Sequence, residues 1–155
     1  MMNDLQLNHE RADDIPLLYG VMEKLHLFEL LDRYLGNHGL HRGVSNGHLA
    51  VIWLMYILSE GDHRKSGVQG WVDRHRHTLE NLLGQPLRVG IEASDERLGI
   101  VLQRLSKDEA WEGLEAVLWT ASVAAYRLEL AGVRLDSTTT YGYHAVGEDG
   151  LMQFG

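Results

Sequence analysis

The residues with the most pointed chemistry lie near the carboxyl end, where Leu135, Asp136, Ser137, Thr138 and Thr139 set one carboxylate in an apolar, β-branched run flanked by hydroxyls. A strand-borne Asp is held rigidly, and two or more such carboxylates converging form the oxygen-rich site that a hard divalent cation such as Mg²⁺ takes. One carboxylate alone is not such a site. The plain alternative is an Asp at a strand end bonded to nearby amides or hydroxyls. Ser137 has neither a G-x-S-x-G setting nor evident His and Asp partners for nucleophilic work. The short His pairs, His38 with His41 and His75 with His77, lack the helical i,i+4 spacing with a carboxylate that makes a zinc motif. His75 falls on an apolar stripe and reads as a satisfied, partly buried histidine.

A second kind of chemistry, phosphate binding, depends on where the charge sits. The chain carries a net charge of -8, which argues against a protein that binds nucleic acid over its whole surface. The average conceals a division. Residues 1–36 hold three Lys or Arg against seven Asp or Glu, and residues 91–155 hold five against eleven, whereas residues 37–90 hold six against four and six of the nine His. The middle stretch is the one whose sign suits a phosphate backbone. Its candidates for DNA contact are Arg42 and His48 around the start of one helix, Arg64 and Lys65 before the next, and Arg74, Arg76 and His77 beyond. Asp62 and Asp73 sit among them, and a solvated, mildly basic face without a ligand is the alternative.

The elements that must position these residues are mostly helical. Asp14, Ile15 and Pro16 supply a cap and first turn for a helix that ends near Gly36, with a break near His26. Ser45 caps a helix running to about Ser59 whose residues, from Leu49 onward, leave almost no polar face; this is the expected central helix. Ser66 is expected to cap a single helix reaching Gly84, with positions 68, 71, 72, 75, 79 and 82 as its apolar stripe. Ser94 begins another, with Leu98, Val101, Leu102 and Leu105 inward. Ser106 and Glu109 match the S-x-x-E capping box and open a long helix over about 107–130, with Trp111, Leu114, Val117, Leu118, Ala121, Ala125 and Leu128 on one face. After Gly132 the period changes to two. Val133 to Tyr143 and Leu151 to Phe154 read as a hairpin around the Gly147 to Gly150 turn, which needs another element to cover it.

Composition sets the outer bounds. A chain of 155 residues with 45% apolar and 23% charged residues is ordinary globular usage and has room for one domain, or one plus a fragment. It has no Cys, so neither disulfides nor thiolate zinc sites are available, in keeping with a cytoplasmic protein. The longest apolar run, Leu49 to Leu58, is about half of the roughly 20 residues needed to cross a bilayer. The acidic stretch Met1 to Asp14 is the opposite of a signal peptide.

The run GVRLDSTTTYGY at 132–143, following a helical region that contains GLHRGVSNGHLAVIWLMYILSEGDHRKSGVQGWV, resembles the front part of DDE transposases from bacterial insertion sequences. The resemblance implies a mainly α chain: a multi-helix bundle over 1–130 for DNA binding or assembly, then, over 131–155, the start of an RNase H-like catalytic sheet. It implies that Asp136 is the first acid of the catalytic triad, a ligand of the Mg²⁺ ions that activate water or a DNA 3′ hydroxyl. The second Asp and the Glu of the family have no counterpart here, since Glu148 and Asp149 fall in the turn just after the first strand. The expectation is therefore a transposase-derived fragment, catalytically inactive alone, that binds transposon-end DNA. The alternative is a helical interaction module, a homodimer or a partner of intact transposase.

Overall fold

The computed structural model describes residues 9–37 and 42–130; the expected hairpin, and Asp136 with it, lie outside the described residues. Seven helices occupy the described part: α1 (Ile15–Lys24), α2 (Leu27–Leu35), α3 (Asn46–Glu60), α4 (Lys65–Arg74), α5 (Arg76–Leu83), α6 (Asp95–Leu105) and α7 (Asp108–Tyr126). The chain is mainly helical, and no strand occurs among the described residues.

The core forms around α3, because that helix is apolar on nearly every side. Leu49, Val51, Ile52 and Met55 are fully buried, and α1, α2, α4 and α6 all pack on it. Ser45 caps α3 as expected, accepting the His48 N–H at 3.2 Å, and Gly61 ends it in the left-handed conformation that favours glycine, φ +64°. The break between α1 and α2 is also where the sequence puts it. His26 takes φ 53° and ψ 32°, an uncommon conformation for a residue with a Cβ, and the turn sends Leu27, Phe28, Leu30 and Leu31 into the core.

The expected helix from Ser66 to Gly84 is two helices, with the joint at His75. Its apolar stripe is real: Val68, Trp71, Val72 and Leu79 are buried and His75 nearly so. Two features divide it. The His75 ring Nδ1 lies 2.9 Å from the Trp71 carbonyl and the ring packs on the Trp71 indole, so a side chain competes for a backbone acceptor of the helix. In addition, the Glu10 carboxylate accepts the N–H groups of His77 and Thr78 at 3.0 and 2.8 Å. A carboxylate across freed amides is the arrangement that stabilises a helix start. Neither end of this contact, Glu10 or Thr78, shows itself in a periodicity pattern.

The capping box at Ser106 does not form. Ser106 ends α6, its hydroxyl donating back to the Gln103 carbonyl, and Lys107 takes the N-cap position of α7 with no side-chain cap. The single buried apolar face expected for α7 is also too broad. Leu114 is buried while Val117, Leu118 and Ala121 pack partly against the core, but Trp111 is 53% exposed and Leu128 45%. In α6, Leu98 and Val101 turn inward as expected, and Leu102 does not. The reason is geometric: α7 crosses α2 more closely than α6, leaving a gap on the α6 side.

Candidate functional site

The seven basic candidates do not form one free basic face. Arg64 forks onto Asp62 through Nε and Nη2, at 2.9 to 3.1 Å, and holds that carboxyl well below its usual range through side-chain and backbone hydrogen bonds, helped by the Tyr56 hydroxyl. Lys65 reaches Asp95 at 3.1 Å. Arg76 and His77 both approach Glu80 at 3.7 Å. Only Arg42 and Arg74 are exposed and form no ion pair with another described residue.

His48 belongs to a different structure, centred on Asp32. One carboxylate oxygen of Asp32 accepts the Gly47 N–H at 2.7 Å, and the other accepts the Ser45 hydroxyl at 2.5 Å and faces His48 Nδ1 at 3.3 Å. Ser45 Oγ and His48 Nδ1 are 2.6 Å apart. An Asp, a Ser and a His in contact invite comparison with a nucleophilic triad, but the connectivity is wrong: the serine donates to the carboxylate, and the same ring nitrogen faces both partners. The set is a clamp that joins the end of α2 to the positive start of α3. Asn46 completes it, donating through Nδ2 to the Gly36 carbonyl at 2.6 Å.

A second buried carboxylate lies nearby. Glu92 is wholly buried and accepts from the Val44 N–H and the Arg88 N–H, each at 3.0 Å, from Arg88 Nε at 2.9 Å and from the Arg97 guanidinium. Burial alone would raise its pKa; the hydrogen bonds from Arg88 and Arg97 outweigh that and hold it below the ordinary carboxylate value. Arg97 also donates to the Val44 carbonyl at 2.6 Å, so the cluster is spent on holding the 42–45 and 88–92 segments together.

One open feature among the described residues is apolar. A groove of about 740 Å³ runs between α2, α3, α6 and α7. Leu27, Leu31, Trp53 and Leu114 form its buried floor, and Leu102 and Trp111 stand on its rim, 44% and 53% exposed. The polar side chains that reach it are His63 and Lys65. The Trp53 indole N–H is buried with no hydrogen-bond partner among the described residues. Sequence periodicity misses this groove because it assigns Leu102 and Trp111 to the core; the available signal was that α7 carries two tryptophans, 111 and 119, eight residues apart, more than one stripe can bury.

The α7 edge of the groove is acidic. Asp108, Glu109, Glu112 and Glu115 are all exposed, α7 has no Lys or Arg, and none of the four pairs with another described residue. By helical spacing Asp108, Glu112, Glu115 and the 58% exposed Trp119 follow directly on the solvent side of Trp111.

A shallower cleft of about 490 Å³ is lined by His9, Glu10, Arg11, Asp13, Glu60, Arg74 and His75. Its charges are mixed and its best-placed carboxylate, Glu10, already caps α5. No group of three or more His, Asp or Glu among the described residues is arranged to hold a metal ion, and no described helix is long and apolar enough to cross a membrane. No protein-family model, curated protein or solved structure matches the chain.

Proposed function

We propose that the helical region works by binding a protein, through the apolar groove between α2, α3, α6 and α7, as the assembly part of an insertion-sequence DDE transposase. The observation that carries the binding reading is the groove itself: an apolar concavity whose rim residues, Leu102 and Trp111, stay in water while equally apolar neighbours are buried. Exposed apolar surface of this kind, rimmed by polar residues, marks interaction sites. Leu102 and Trp111, about half exposed, each forgo part of the roughly 1.5–3 kcal/mol that full burial of a large apolar side chain is worth, which a partner restores. The link to transposases rests on the resemblance at 132–143.

The test is hydrogen exchange on the full chain with and without a helical peptide that carries one leucine stripe between glutamines. Amides of α6 and α7 along the groove gain protection, and Leu102→Glu abolishes the gain. Protection confined to α4 and α5, or none at all, overturns the reading.

A second reading, contact with transposon-end DNA, is favoured by Arg42 and Arg74, two exposed arginines that form no ion pair with another described residue. Duplex binding at low salt would then weaken with added salt, and the double Ala variant would lower the slope of log affinity against log salt by about two. An unchanged slope removes it.

A further inference from the structure

We infer that the groove takes an amphipathic helix from a different protein, one whose apolar stripe is flanked on one side by Lys or Arg lying along α7. This rests on the reading of the groove as a protein-binding surface and adds what the partner must look like. The apolar surface is not confined to the concavity: it continues over Trp111 toward Trp119 and over Leu102, beyond what a small apolar ligand in the cavity would cover. A helix of about 10 Å diameter laid in the groove meets floor and both rims together.

Charge selects the partner. A helix docked against Trp111 lies beside Asp108, Glu112 and Glu115, three carboxylates that pair with no cation among the described residues. Covering them with an uncharged or acidic flank would strip their water without compensation. A basic flank compensates, and exposed pairs of this kind chiefly set specificity and association rate. A second copy of the chain is a poor occupant: each copy carries -8, and a two-fold contact pairs one patch with itself, which brings the acidic α7 edge of both copies into one interface and supplies no basic flank. The chain's own residues 131–155 hold one Arg against three carboxylates, so they do not supply the basic flank either.

The experiment titrates the full chain into three labelled helical peptides of about five turns. They share one leucine stripe and differ only in the flank, which is Lys and Arg, Gln or Glu; binding is read by anisotropy at low and moderate salt. The basic-flanked peptide is expected to bind about tenfold more tightly than the Gln peptide, with the Glu peptide weakest, and to lose that margin as salt screens it. The Asp108→Asn/Glu112→Gln/Glu115→Gln variant, altered at exposed positions, should bind the basic and Gln peptides alike while its affinity for the Gln peptide is unchanged. Equal binding of all three peptides overturns the basic-flank inference and leaves the groove reading standing. No peptide binding by a monomeric chain overturns both. A dimer in sedimentation that Leu102→Glu dissociates makes a second copy the occupant and overturns the inference.

Discussion

The carboxylate of Glu92 accepts the backbone N–H of Val44 at 3.0 Å, across 48 residues of sequence. With Arg88 and Arg97 on its other lone pairs, it fixes the loop before α3 to the loop before α6. Substituting Glu92 by Gln leaves the largely buried Arg97 guanidinium and the partly exposed Arg88 guanidinium facing a neutral amide. The expected loss is about 3–5 kcal/mol, the range for breaking one side of a buried ion pair, read from urea unfolding.

The same group gives the chain an acid limit. Glu92 and Glu10 both have pKa values lowered in the folded state, burial being outweighed by hydrogen bonds from Arg88 and Arg97 for the first and from Thr78 and His77 for the second. Their contribution is complete above the ordinary value of 4.5 and is lost as pH falls through the lowered folded values. Unfolding free energy measured from neutral pH downward should therefore fall below that point, and less steeply in Glu92→Gln. A profile identical in the two proteins would show that Glu92 does not contribute.

At the α2 to α3 junction, Asp32→Ala removes the acceptor of the Gly47 N–H and the Ser45 hydroxyl together. A loss of about 1–3 kcal/mol is expected from leaving such groups unsatisfied, and Ser45→Ala, which removes the cap, should cost about 1 kcal/mol. Because both act on one network, the double variant should fall short of the sum in a double-mutant cycle.

Gly47 tests the closeness of that junction. A Cβ there would stand 2.5 Å from the Asp32 nitrogen and 2.7 Å from the Phe28 carbonyl oxygen, backbone atoms that cannot swing aside. Gly47→Ala should thus destabilise by about 1–3 kcal/mol through overpacking, although alanine is the better helix former by about 1 kcal/mol. A thermal melt at or above that of the original chain would contradict the geometry.

Much of the helical plan was legible because it depends on neighbours in sequence. The Ser45 and Ser94 caps, the Gly61 terminus, the turn at His26 and the all-round apolar α3 follow from local propensity and period. What was not legible depends on distant partners. The joint at His75 needs Glu10 to accept the amides of His77 and Thr78. The candidate basic residues were legible by type, but sign alone could not say that Asp62, Asp95 and Glu80 would occupy Arg64, Lys65, Arg76 and His77. The groove was hidden for the opposite reason: helical periodicity sorts residues into inward and outward, and Trp111 and Leu102 are apolar residues that face neither the core nor a partner among the described residues.

Suppose His26 adopted ordinary helical angles. Residues 15–35 would then merge into one rod of about 31 Å, against about 22 Å for α3 at the same rise per residue, and the surplus would overrun that helix. Folding the segment back on itself keeps each half within the span of its central neighbour, so one awkward backbone angle lets α1 and α2 both pack along α3.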